Sequence, residues 1–183
     1  MEDAKFTAAV KSASSSQQCQ VRVDLFFSDI QDIAHKEFVP PRQTVNGKFY
    51  CEVLKRLRED IRRKRPDKWK NNWFLHHDNA PAHKSLVVRL FLTSKNITVI
   101  SHPPYSPDLA PCNFFRFPKM ELRLKGRRFD KTEEFHTESQ EVIDTLTFEN
   151  FQGCMKSWET RWNRCILAKG DYFEGDAGNS VLR

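Results

Sequence analysis

The sequence predicts an α/β fold in which helices cover a sheet. An apolar run at residues 73–75 and a β-branched run at 97–100 have strand patterns, and apolar residues between them repeat at helical spacing. Upstream, apolar runs that begin at Val21 and Ile33 flank a short polar turn, which is typical of a β-hairpin. A hairpin beside a strand, helix and strand in succession predicts one sheet with helices packed against it.

Length, charge and cysteine spacing narrow the class of protein. The 183 residues suffice for one domain, and a net charge of +6 with a pI near 9.1 favours a polyanionic partner, although a solubilising surface charge is the alternative. No signal peptide or membrane-spanning run is recognisable, so we expect an intracellular protein without a membrane partner. The five scattered cysteines lack paired zinc or disulfide spacing and are expected to be reduced thiols.

The two ends of the chain differ in composition from its middle. Residues 1–20 are polar, with a Ser/Gln-rich run at 14–18, and are expected to form a disordered lead-in. The stretch from residue 170 is rich in glycine, and residues 177–183 are expected to fray. The folded domain is therefore predicted to cover residues 21–176.

A basic helix is predicted after the proline pair at 40–41. Thr44 or Asn46 can cap it, apolar residues from 49 to 61 lie on one side, and Pro66 ends it. Its C-terminal cluster is the first candidate for phosphate contacts or nuclear import, with a solvated helix face as the alternative. The residues of this cluster are Arg62, Arg63, Lys64 and Arg65.

A second basic series begins after residue 113, interleaved with aromatic residues that are typical of a helix packed on a core. Arg127 and Arg128 at its end are further candidates for nucleic-acid contacts. Two more helices are predicted, one from Lys131 and one over 148–167, and the last is expected to pack on the sheet as a lid.

Asp78 is the candidate site residue. The strand at 73–75 ends in HHDN, which would deliver this carboxylate to the C-terminal edge of the sheet, where α/β folds place their sites. The second strand runs into a proline-rich loop that ends at Cys112 and Asn113, and Asn113 opens the next helix. Two strand ends and a helix start can bring Asp78 and Asn113 together.

Several strings resemble those of mariner-type transposases: FLHHDNAPAH, HPPYSPDLAPCNFF, KGRRFD and the closing GDYFEGD. That family has an Asp in HDNAxxH, thirty-four intervening residues, and an Asp after YSPDLAP. The resemblance implies an RNase H-like domain of the retroviral integrase superfamily, a mixed sheet flanked by helices. It also implies that three acidic residues bind two Mg²⁺ or Mn²⁺ ions for DNA cleavage and strand transfer.

The sequence departs from the family pattern at two of the three acidic positions. Asp78 matches the second, whereas Asn113 matches the third and offers a neutral carbonyl, as in the vertebrate fusion of a SET methyltransferase with a mariner transposase. No segment before residue 21 resembles the family's TGDExW string, and Asp3, Asp24 and Asp29 do not match its Asp. We therefore expect the first strand to be missing, together with the helix-turn-helix modules that read transposon ends.

Two functions follow as expectations. The first is a truncated, degenerate transposase catalytic domain that is located in the nucleus. It is expected to bind DNA without sequence preference and to bind Mg²⁺ or Mn²⁺ weakly, with a homodimer or a larger protein as the expected partner. The second is a non-enzymatic module that binds nucleic acid or a protein partner. The histidines around the site are expected to shape the loop rather than to bind zinc. These are His76, His77, His83 and His102.

Overall fold

The computed structural model describes residues 6–13, 23–40, 42–125 and 132–169. Among these residues, five strands form one mixed sheet in the order β3-β2-β1-β4-β5. Strands β1 and β2 are antiparallel, as are β2 and β3, whereas β4 runs parallel to both β1 and β5. The strands are β1 Phe6–Ala13, β2 Val23–Ser28, β3 Ile33–Phe38, β4 Phe74–His76 and β5 Thr98–Ile100.

Helices cover the sheet and carry the chain between its strands. A 3-10 turn at Pro107–Leu109 and a π turn at Cys112–Arg116 lie between β5 and α5. No helix of the described residues is both long and apolar enough to cross a membrane. The α-helices are α1 Gly47–Lys64, α2 Pro66–Lys70, α3 Pro81–Lys84, α4 Leu86–Ser94, α5 Phe117–Leu124, α6 Thr132–Asp144 and α7 Phe148–Leu167.

Strand β1 overturns the prediction of a missing first strand and, for residues 6–13, that of a disordered lead-in; the other residues of the range 1–20 lie outside the described part of the chain. Its backbone pairs with β2 over Ala8–Ala13 and with β4 over Phe6–Ala8, so it lies at the centre of the sheet. Without it, β2 and β4 would each keep an unpaired edge of N–H and C=O groups. The prediction was wrong because it treated residues 1–20 as one polar segment, so the strand-compatible FTAAV was not separated from the Ser/Gln-rich run that follows.

The other elements confirm the predicted order with small shifts. The hairpin is formed by β2 and β3, and Asn46 caps α1 by accepting a hydrogen bond from the Phe49 N–H at 2.9 Å. Pro66 ends α1 and opens the short helix α2. The strand predicted at 73–75 lies one residue later, at Phe74–His76, and α7 has the predicted bounds.

The two faces of the sheet are covered by different helices. On one face, Leu25 and Leu75 pack against α1 and α4 in a cluster of buried apolar residues. On the other, the ring of His76 lies 5.0 Å from that of Trp158 in α7. The buried Trp158 Nε1 also donates a hydrogen bond to the Leu109 carbonyl at 2.7 Å, so α7 holds the proline-rich loop in place.

An ionic cluster holds the end of the sheet where β4 begins. Asp29 follows β2, and because Ser28 pairs with Ala8 in antiparallel register, Asp29 is level with Thr7, next to the Phe6–Phe74 pair with which β1 and β4 begin. It is buried and accepts from Lys68 Nζ at 2.6 Å and Arg65 Nε at 3.0 Å. Arg65 also contacts Asp32. The cluster therefore ties the hairpin to α2 and to the C-terminal end of α1.

Candidate active site

Asp78 lies two residues past β4, at the opposite end of the sheet from Asp29. Its carboxylate oxygen Oδ1 is 2.7 Å from His83 Nδ1 and accepts a hydrogen bond from the Ala80 N–H at 3.0 Å. Burial raises the pKa of Asp78, but the His83 contact and the Ala80 N–H outweigh burial and lower the pKa to about 2. The carboxylate is therefore ionised at neutral pH, with its side chain 41% exposed.

A buried aromatic layer fixes His83 behind that carboxylate. The His77 ring stacks on His83 with centroids 4.9 Å apart and an interplanar angle of 5°. Tyr50 in α1 packs on His83 at 4.0 Å, and its hydroxyl is 3.1 Å from His77 Nδ1. Burial, with the neighbouring His83, lowers the pKa of His77 to about 3, so its ring is neutral. This layer connects the first turns of α1 to the position of Asp78.

The two strand ends are tied together beside Asp78. Asn79 Nδ2 donates to the His102 carbonyl at 2.9 Å, and His102 Nδ1 is 3.2 Å from His76 Nε2. Burial, with the neighbouring His102, lowers the pKa of His76 to about 4, so His76 is neutral. These contacts set where the proline-rich loop leaves β5.

Asn113 lies in the π turn at the end of that loop. It is exposed, and its Nδ2 donates to the Pro107 carbonyl at 3.2 Å. Burial raises the pKa of the adjacent Cys112 thiol to about 11, a shift that Arg116 opposes and the charge of Asp78 increases. Asp78 is therefore within electrostatic reach of the residue that precedes Asn113.

The central strand brings no carboxylate to this edge. Strand β1 reads FTAAVKSA, and Ala8 pairs with His76, the last residue of β4; continuing that register by two residues puts Val10 level with Asp78. Asp24 and Asp29 lie at different ends of the sheet. Asp24 is the backbone partner of Ser12 in the β1–β2 ladder and lies towards the same edge, whereas Asp29 lies at the opposite end in its ionic cluster.

Comparison with known proteins agrees with this geometry. The family model described as DDE superfamily endonuclease matches residues 12–136. The chain belongs to this superfamily. It is 32% identical over 148 residues to the mariner Mos1 transposase of Drosophila mauritiana and 26% identical over 150 residues to the human histone-lysine N-methyltransferase SETMAR.

The structural similarity extends over most of this chain and most of the matched chain. The crystal structure of the catalytic domain of Mos1 mariner transposase matches with a TM-score of 0.86 and 28% identity, over 93% of this chain and 85% of that one. The predicted RNase H-like fold is thereby confirmed. The alignments cover 80% of this chain but 43% of the Mos1 sequence, and 78% of this chain but 21% of SETMAR, so the chain spans less than half of either relative.

The residues of this DDE domain do not fit a pair of divalent ions. Two such ions need several anionic oxygens, and the end of β4 and the π turn together supply one carboxylate, Asp78, whose Oδ1 is engaged by His83, and the neutral amide of Asn113. Among residues 6–13, 23–40, 42–125 and 132–169, no group of three His, Cys, Asp or Glu side chains could hold a metal ion. The four histidines instead contact Asp78, Tyr50 or one another.

The four predicted nucleic-acid contacts at residues 62–65 are not part of this edge. Arg62 and Arg63 are exposed near the C-terminal end of α1, each paired with an acid three residues earlier. Lys64 Nζ donates to the Ala34 carbonyl at 2.9 Å, and Arg65 belongs to the Asp29 cluster. Arg127 and Arg128 lie outside the described residues.

Sequence reasoning missed the support behind Asp78. The string HDNAPAH contains both Asp78 and His83, and their spacing of five residues across a proline was the available signal. Tyr50 gave no comparable signal, because an aromatic residue on the apolar side of a helix looks like any other core residue. The same holds for Trp158, whose partner Leu109 is distant in sequence.

Proposed function

We propose that this chain is a degenerate mariner-type transposase catalytic domain that binds DNA and has at most feeble, Mn²⁺-favoured nicking activity. The carrying observation is the ionised Asp78, fixed by His83 at the C-terminal edge of an RNase H-like sheet with Asn113 in the neighbouring π turn. The Mos1 catalytic domain has been solved with Mg and with Mn, and Mos1 transposase with a left transposon end. DNA is accordingly the proposed substrate class.

Charge explains why the activity should be low. Asp78 takes the second acidic position of the family and Asn113 the third, where an amide gives an oxygen without its charge. Val10 stands level with Asp78 on the central strand. One anion can hold one divalent ion weakly, but it offsets too little positive charge to hold two.

The proposed DNA contacts are to phosphates, and binding should be independent of sequence and sensitive to salt. Arg62, Arg63, Lys64 and Arg65 were predicted for this role, and Arg62 and Arg63 are the exposed pair that supports it. Arg127 and Arg128 remain proposed contacts. A nuclear location and a homodimer or larger protein partner belong to the same proposal, because the substrate is DNA and a transposase joins two ends.

Plasmid nicking tests the catalytic part. Supercoiled DNA is incubated with the chain and with Asp78→Ala, in Mg²⁺ and in Mn²⁺. We expect no cleavage in Mg²⁺ and slow nicking in Mn²⁺ that Asp78→Ala removes, since Mn²⁺ tolerates mixed carboxylate and carbonyl ligands. Robust Mg²⁺-dependent cleavage that Asp78→Ala abolishes would contradict the proposal and would direct attention to Asp24, which lies towards the same sheet edge.

The second candidate function is a non-enzymatic, transposon-derived nucleic-acid-binding or partner-binding module. The neutral Asn113 and the absence of an acid from β1 favour it. DNA binding with nicking that is equal for the chain and for Asp78→Ala would select this alternative.

A further inference from the structure

Helix α1 runs from the Asp78 edge to the opposite end of the sheet. Its first turn is at the site, because Tyr50 contacts His77 and His83. Its C-terminal end is at the Asp29 cluster, through Arg65. With a rise of 1.5 Å per residue, Tyr50 and Arg62 are separated by about 18 Å along the helix axis. DNA held only by Arg62 and Arg63 would therefore not be guided to Asp78.

Two lysines occupy the Asp78 end of the helical layer. Lys48 is in the first turn of α1, and Lys84 ends α3. Both are exposed, and neither has an acidic partner among the described residues. Arg62 and Arg63 differ, because Glu59 and Asp60 pair with them at 2.5 and 2.8 Å and offset part of their charge.

A close contact between two helix ends brings together the backbone segments that carry these lysines. A Cβ at Gly47 would collide with Ser85 Oγ and lie 2.8 Å from Val87 Cγ1, so the start of α1 touches the junction of α3 and α4. Lys48 follows Gly47, and Lys84 precedes Ser85. The absence of a side chain at Gly47 is what permits this approach.

The same end of the layer is electrostatically connected to the site. Burial lowers the pKa of His102, Asp78 opposes this shift, and Lys84 adds to it. Lys84 and Asp78 are therefore both within electrostatic reach of His102. A phosphate that binds beside Lys84 would be near the only carboxylate that the described residues bring to this edge from β4 and the π turn.

We propose that Lys48 and Lys84 form a phosphate-binding pair that guides a DNA strand to Asp78. The proposal rests on the proposed function and adds to it the path of the DNA, over the N-terminal end of α1 rather than only along its C-terminal end. Two unpaired ammonium groups would displace about two counterions from the DNA.

The test is the salt dependence of binding to a labelled duplex of about 20 base pairs, measured by fluorescence anisotropy between roughly 50 and 200 mM KCl. The test variant is Lys48→Gln with Lys84→Gln. The matched control is Lys70→Gln with Lys95→Gln, which removes two exposed lysines at the opposite end, where α2 and α4 end. Thermal unfolding confirms that both double variants are folded.

We expect the Lys48 and Lys84 double variant to bind about tenfold more weakly at 100 mM KCl and to lower the slope of log K against log salt by roughly 1.8. The control should stay close to the unsubstituted chain. Equal weakening in both double variants, or none in the test variant, would overturn the pair while leaving DNA binding intact. Failure of the unsubstituted chain to bind any duplex would instead refute the proposed function.

Discussion

Asp29 and Asp78 lie at opposite ends of the sheet, and both carboxyl groups have a pKa below the ordinary value of 3.8. Burial raises the pKa of Asp29, but hydrogen bonds and charges from Lys68, Gln31 and Arg65 together lower it. Asp29 is 2% exposed and surrounded by cations, whereas Asp78 keeps part of its carboxylate open to solvent. The first arrangement stabilises the fold, and the second leaves an anion free to act.

Asp29→Asn should lower the free energy of unfolding by about 2 to 3 kcal/mol at pH 7, because it leaves Arg65 and Lys68 only slightly exposed and without their carboxylate. Because the folded-state pKa is depressed, this stabilisation is present above the unfolded pKa and is lost as the pH falls through the folded value. Urea unfolding at several pH values between 2 and 7 measures both effects.

Asp67→Asn is the control for that substitution. Asp67 is an exposed aspartate in the first turn of α2, next to Lys68. Its substitution should change the free energy of unfolding by no more than about 0.5 kcal/mol. A similar loss of unfolding free energy in both variants would mean that the buried Asp29 cluster adds nothing to stability.

At the scale of elements, β1 is the strand on which the architecture depends. It joins an antiparallel hairpin to a parallel pair, and both neighbouring ladders use its backbone. The paired elements are short, since β4 and β5 have three residues each. Loss of the central strand would therefore separate the two halves of the sheet.

Val10→Pro should lower the free energy of unfolding by about 3 kcal/mol or more, because proline has no N–H and is not tolerated inside a central strand. Val10 pairs with Phe26 in the middle of the β1–β2 ladder. Val10→Ala keeps the N–H and isolates the side-chain contribution. Equal denaturation midpoints for the two variants would show that this segment does not pair within the sheet in solution.

At the scale of the whole molecule, the charge of the site depends on three segments that are distant in sequence. β1 contributes no acid, the end of β4 contributes Asp78, and the π turn contributes Asn113. The backbone that carries these positions has the fold of the Mos1 catalytic domain. Of the three segments proposed to form the site, one therefore supplies an acid.

Restoring the charges should restore cleavage. Asn113→Asp alone should leave nicking close to that of the unsubstituted chain, since the central strand still lacks its acid. Val10→Asp together with Asn113→Asp places carboxylates at all three segments and should raise Mn²⁺-dependent plasmid nicking at least tenfold, roughly 1.4 kcal/mol of barrier. The gain should disappear when Asp78→Ala is added.

Calorimetric titration with Mn²⁺ gives a readout separate from cleavage, and affinity should rise with each added carboxylate. Higher affinity without cleavage would show that Val10 is level with Asp78 but that its substituted side chain does not reach the scissile phosphate. No gain in affinity would contradict the register-based placement of Val10.

The sequence by itself determined the features that local patterns encode. Apolar spacing predicted the hairpin, α1 and α7, and Asn46 was one of the two caps that the sequence predicted for α1. The HDNAPAH and YSPDLAP strings led to the hypothesis that Asp78 and Asn113 form a site. These signals depend on residues within a few turns or strand positions of one another, so they can be read before folding.

Tertiary structure alone decided which segments meet. β1 acquires its place only by pairing with β2 and β4, and a short strand-compatible run beside a polar tail carries no local sign of that pairing. Arg65 was predicted as a DNA contact, and the sequence carried no sign that its guanidinium contacts Asp29, thirty-six residues away in sequence. Burial and ion pairing depend on distant neighbours brought together by the sheet, and this dependence is why composition could not predict them.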